Sequence, residues 1–167
     1  MLRVFRYGLF AMVATIVSGC ATVELTDPSG PPASETSETM LDQKIDALLA
    51  EQREICMSPE YAALRNKNPC SNSDITFALL ADRSKITNNE RSQMIAAYTR
   101  MDKVYKEITS LYQAHASEAA LKVAQARTWA YDQSMKNRLN LVNGGITWGQ
   151  YLDRRMQISS EMMNRAQ

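Results

Sequence analysis

The residues of this 167-residue chain best able to do chemistry are its three cysteines, Cys20, Cys56 and Cys70. Cys20 closes an apolar run near the N-terminus and stands apart. The spacing of Cys56 and Cys70 fits neither Cys-x-x-Cys redox chemistry nor a zinc motif, and His115 is the one histidine that could assist. A disulfide between them is the expected role, closing a loop of about 15 residues and contributing roughly 3 kcal/mol in the chain-entropy description. Of the ten methionines, only Met156, Met162 and Met163 resemble a soft ligand group for Cu(I). Met94, Met101 and Met135 fall on apolar stripes and read as core filler, so no metal site is expected. His115 continues such a stripe and reads as packing or rim. The carboxylates are scattered, and neither a nucleophile arrangement nor a glycine-rich phosphate loop is present. No catalytic residue and no cofactor are expected.

The N-terminus carries a different signal. Arg3 and Arg6 precede an apolar segment from Tyr7 to Val17, shorter than the about 20 residues a membrane-spanning helix needs. A basic start, a short apolar core and small residues ahead of a cleavage point predict a signal peptide over 1–19. Val17-Ser18-Gly19-Cys20 resembles a bacterial lipobox. That resemblance implies a diacylglycerol on the Cys20 thiol, cleavage just before it and acylation of the freed amine. Several acyl chains hold a protein on a membrane far more firmly than one, at about 0.8 kcal/mol per buried methylene. Ala21, rather than Asp, follows the cysteine, and by the sorting rule of such lipoproteins this implies the outer membrane, facing the periplasm.

Loss of Arg3 and Arg6 from 19 basic residues leaves 17 against 18 acidic ones, so no strong field of one sign favours nucleic acid. The charge is uneven: residues 20–118 hold 10 basic and 15 acidic groups, and 119–167 hold 7 and 3. Two halves folding against each other, or plain solvated helix faces, account for this. Residues 20–37, with Pro28, Pro31 and Pro32 among Ser, Thr and Gly, read as a lipidated cysteine followed by a disordered tether. Fully stretched, it would reach at most about 60 Å.

From 38 to 167 the pattern is helical, predicting an all-α domain: a small bundle stapled by one disulfide. Leu41, Ile45, Leu48, Leu49 and Ile55 form a stripe on a helix over 38–56. Ser58-Pro59 opens a short helix to about Asn66, and Asp74 to Asp82 supports another. Thr87 and Glu90 match a capping box. The helix they open carries Met94, Tyr98, Met101, Tyr105, Ile108, Tyr112 and His115 at the alternating spacing of a coiled-coil seam. Beyond it a second stripe runs through Leu121, Ala124, Thr128, Tyr131, Met135, Leu139 and Val142, out of phase with the first. A bend near Ala116-Ser117 explains the offset; the alternative is one long helix through 88–142 with shorter helices packed on it. Asn143-Gly144-Gly145 ends this part with a left-handed cap. A second capping box, Thr147 with Gln150, opens a last helix with Leu152, Met156, Ser159 and Met163 on one face.

The segment Asn143 to Ile158, NGGITWGQYLDRRMQI, resembles the C-terminal part of small proteobacterial lipoproteins of unknown function, and more weakly the helical modules called SHOCT. Trp148 is its distinctive residue, and the SHOCT likeness implies association rather than catalysis. The expected protein is therefore non-enzymatic: a lipid-anchored accessory or scaffold protein that binds another envelope protein through a helical face. Tyr98, Tyr105, Tyr112 and Trp148 are the candidate partner-binding residues, and self-association through the same face is a further option. A periplasmic ligand-binding or envelope-stress protein, for a metal or a cell-wall fragment, is the alternative. A Cys20→Ser chain should accumulate uncleaved and carry no label from radioactive palmitate; normal processing of that variant would refute the lipobox.

Overall fold

The structure, a computed structural model, describes residues 33–167, and side chains from residue 39 onward. The expected signal peptide, the acyl acceptor Cys20 and the tether residues before Ala33 lie outside the described residues. The first helix, α1, runs Ala33–Met57 and so begins inside the segment read as tether.

A 3₁₀ turn, Pro59–Tyr61, leads into the short α2, Ala62–Arg65. Ser58 precedes Pro59 as expected but makes no side-chain cap; its carbonyl instead accepts from Arg65 Nη1 at 2.6 Å. The helix expected over 74–82 is cut down to α3, Phe77–Leu80, capped by Thr76. Helix α4, Asn88–His115, opens with both halves of the predicted Thr87–Glu90 capping box. It stops because Ala116 turns left-handed, at φ 57°, which costs a non-glycine residue about 1–2 kcal/mol. Ser117 then caps α5, Glu118–Val142, by accepting from the Ala120 amide. The chain bends where the phase shift indicated, and the long-helix alternative through 88–142 is excluded.

Helix α5 ends through paired hydrogen bonds, Gly145 N to Asn140 O and Gly144 N to Leu141 O, both 2.8 Å, with Gly144 at φ +73°. This is the Schellman arrangement that NGG announces. The Thr147–Gln150 capping box opens α6, Trp148–Arg165. Among the described residues there is no strand, and no helix is long and apolar enough to cross a membrane.

Helix α4 lies between α1 and α5, α5 between α4 and α6, and α3 packs on α6. Burial follows the predicted stripes at Met94 and Ile108 of α4 and at Ala124 of α5, and departs from them elsewhere. On α4 the deepest positions are Met94, Ala97, Val104 and Ile108; on α5 they include Ala120, Ala124, Ala126, Ala130 and Leu141. Leu121 and Leu139, placed on the α5 stripe by spacing, are exposed, as are Leu49 on α1 and Met156 and Met163 on α6. The apolar face of α6 runs instead through Trp148, Tyr151, Leu152 and Ile158.

The Trp148-Gly149 pair is explained by what it meets. The amides of Trp148 and Gly149 lie in the first turn of α6 and lack partners within the helix. They donate to Ser84 O at 3.1 Å and Asp82 O at 2.9 Å. Asp82 is itself tied to Lys67 Nζ at 2.7 Å and accepts from the Ser84 amide at 2.7 Å. Burial opposes its charge, but these donors win and hold its carboxyl down at about 2. Such close docking leaves no space for a side chain at Gly149, where a Cβ would collide with the carbonyl oxygen of Leu80. Gly149→Ala should therefore cost about 3 kcal/mol, in the range of forced overpacking. Gly144→Ala, strained in φ but with open space around it, should cost about 1 kcal/mol. Urea midpoints measure both, and equal midpoints would refute this account of the motif.

Candidate functional site

Cys56 and Cys70 are joined, with Cα atoms 5.8 Å apart, so the end of α1 is stapled to the turn after α2. Two arginines fasten the same turn. Arg65 Nη1 donates to Cys56 O at 3.1 Å as well as to Ser58 O. Arg155, from α6, sends Nη1 to Asn68 Oδ1 at 2.6 Å and to Pro69 O at 2.8 Å. Held this way, the turn walls a cavity of about 630 Å³ between α1, α4, α5 and α6. That volume lies within the range of small-molecule sites, about 300–1,000 Å³.

Aromatic residues and a polar network line the cavity. Tyr98 and Tyr105 of α4, Tyr131 of α5 and Tyr151 of α6 all reach it. The Tyr98 and Tyr151 hydroxyls are 3.0 Å apart, and Asn68 Nδ2 donates to Tyr98 Oη at 3.1 Å. Asn137 Nδ2 donates to the Tyr151 carbonyl at 2.9 Å. Arg138 Nη1 pairs with Asp102 Oδ1 at 2.8 Å, while Tyr131 donates to Asp102 Oδ2 at 3.3 Å. The Arg138 guanidinium lies 4.3 Å from the Tyr98 ring centroid, a cation–π contact. Tyr105 stacks on Tyr131 at 5.6 Å between centroids and donates to Arg127 O at 2.7 Å.

Burial favours the neutral phenols of Tyr105 and Tyr151. Burial first, then the nearby Tyr98 hydroxyl, raises Tyr151 well above the ordinary phenol range. Tyr105 rises for the same leading reason, burial. These groups are hydrogen-bonding surfaces at physiological pH, donating and accepting without exchanging charge.

Of the residues proposed from spacing, Tyr98 and Tyr105 share the cavity wall, whereas Tyr112 is half-buried and stands off it. Trp148 is fully buried, in edge-to-face contact with Tyr151, so its indole packs the core beneath the site rather than presenting a face outward. Cys56 and Cys70 both touch the cavity. Spacing gave no notice of Asn68, Asp102, Asn137, Arg138 or Arg155. A faint signal existed in the basic excess of residues 119–167, since Arg138 and Arg155 belong to it. Comparison with protein-family models, curated proteins and solved structures finds no match to this chain.

The Asp102–Arg138 pair is the most costly element of the wall, because the Arg138 side chain is only 9% exposed. Removing one partner of such a pair strands a buried charge, at about 3–5 kcal/mol. Asp102→Ala should fall in that range by chemical denaturation, while the double change Asp102→Leu with Arg138→Met should recover most of it. Independent, additive losses would show that the pair is not coupled.

Proposed function

We propose that the protein is a non-enzymatic binding protein, held by acyl chains on Cys20 at the periplasmic face of a Gram-negative outer membrane. Its site is the tyrosine-lined cavity. The observation that carries this reading is the cavity itself: a space of about 630 Å³ whose polar wall groups are tied to one another by hydrogen bonds. Binding sites of this kind combine apolar and aromatic lining with a few placed polar groups. Prior ordering of those groups lowers the entropic cost of binding. A tether ahead of α1 would let the site stand clear of the membrane surface.

A second reading, docking of another envelope protein, is favoured by one surface feature. Phe77 opens α3 and is 86% exposed, on an element fastened to α6. An aromatic side chain presented on an anchored turn is the type of residue that dominates protein interfaces.

The cavity reading is tested with the purified full chain and the neutral fluorophore N-phenyl-1-naphthylamine. Fluorescence should rise and saturate at micromolar probe, and Ser134→Phe, which fills the cavity from α5, should abolish the rise. No enhancement in the native chain, or an unchanged one in Ser134→Phe, would refute the site.

A further inference from the structure

Three guanidiniums on the cavity wall lack a carboxylate partner among the described residues: the exposed Arg53, and the half-buried Arg65 and Arg155. The lining brings together Arg53, Arg65, Arg138 and Arg155 against two carboxylates, Asp74 and Asp102. Asp102 is committed to Arg138. Among the described residues, neither Arg65 nor Arg155 has a carboxylate partner. Their protein contacts are neutral oxygens, and each makes them through one nitrogen, Nη1. Among the described residues, Nε and Nη2 of both therefore have no protein acceptor. An arginine fork with a free edge is the group that matches a planar carboxylate with two parallel hydrogen bonds.

Arg155 is the better placed of the two. It also lines an adjoining recess of about 440 Å³, together with Ser134, Ser159 and Asn72. Asn72 lines the same recess, and its buried Oδ1 has no hydrogen-bond partner among the described residues. An unmet buried acceptor costs about 1–3 kcal/mol, which a turn of the Asn72 amide toward a ligand N–H would recover. The Tyr98, Tyr105, Tyr131 and Tyr151 surfaces supply flat walls for an apolar or aryl body.

We infer that the cavity takes a small organic carboxylate with an apolar or aryl body, its anion gripped by Arg155 with Arg65 in support. This rests on the cavity being a binding site, and it adds the sign and shape of the ligand. Carboxylate and aryl group together could come from the C-terminus of a short peptide or from a simple aryl-alkyl acid. The Asn72 acceptor favours the peptide, which brings an amide N–H.

Calorimetry on the full chain with two pairs of probes tests the inference: N-acetyl-phenylalanyl-alanine against its C-terminal amide, and 4-phenylbutyrate against 4-phenylbutyramide. Each acid should bind at least tenfold more tightly than its amide, and the dipeptide acid more tightly than phenylbutyrate. Arg155→Lys keeps the charge and loses the fork; it should cut the preference for each acid over its amide at least fivefold, the amides reporting any change in the cavity wall itself. Arg65→Lys, a second variant made in case Arg155→Lys fails to fold, should give a smaller loss of the same kind. Equal affinity for acids and amides, or no binding of either beside intact fluorophore binding, would overturn the carboxylate inference and leave the cavity reading standing. Loss of fluorophore binding in the native chain would overturn both.

Discussion

The fold must accommodate one guanidinium in its interior. Arg138 sits on the face of α5 that packs toward α4, where transfer of a charge from water costs several kcal/mol unless it is paired and hydrogen-bonded. Asp102 supplies the countercharge from α4, Tyr98 lies under the cation, and Tyr131 steadies the second carboxylate oxygen. Each of these partners is pinned in turn. Tyr98 receives Asn68 and faces Tyr151; Asn68 receives Arg155; Arg155 holds the disulfide turn. The chain of contacts thus passes from α5 through α4 to the turn after α2 and back to α6. A network of this kind specifies one arrangement of helices, because any sliding would leave a buried polar group without its partner.

The same constraint explains why a cavity exists. Ala97, Ala124 and Ala130 are buried on the facing sides of α4 and α5. Beside them tyrosines and arginines reach from helix to helix by hydrogen bonds. Hydrogen-bonded side chains fix positions without filling volume as interdigitating aliphatic groups do. A hydrogen-bonded polar layer is therefore a physical route to open space, and the disulfide turn closes its side.

Helix ends were the legible part of this sequence. Thr87 with Glu90, Thr147 with Gln150, and Asn143-Gly144-Gly145 each code local hydrogen bonds, and all three form as their residues dictate. The Cys56–Cys70 pairing and the break at Ala116-Ser117 were legible for similarly local reasons. The buried faces of α5 and α6 were not. Periodicity weights large apolar side chains, so it chose Leu121, Leu139, Met156 and Met163, while the structure buries alanines with Asn137 and Arg138. Nothing in spacing distinguishes a solvated arginine from one whose carboxylate lies 36 residues away on another helix. The site was obscured for the same reason. Tyr98 and Tyr105 were singled out, but the groups that give them a polar setting come from four separate elements.

The disulfide acquires a meaning beyond loop closure when its position is considered. The chain-entropy contribution of about 3 kcal/mol would arise wherever the bridge lay. Here it joins the end of α1 to a turn whose Asn68 and Pro69 carbonyl-type oxygens take the Arg155 charge, and whose Asn68 amide holds Tyr98. Two walls of the cavity thus depend on one covalent link and one cation. Such a wall resists closing on itself, since collapse would have to break charge-assisted hydrogen bonds, each stronger than a neutral one. An open site with fixed donors loses little entropy on binding, so its selectivity rests on which ligand can satisfy the donors. On the proposed reading of the cavity, those donors are guanidinium edges beside tyrosine rings, a combination that would discriminate by charge and planarity before size.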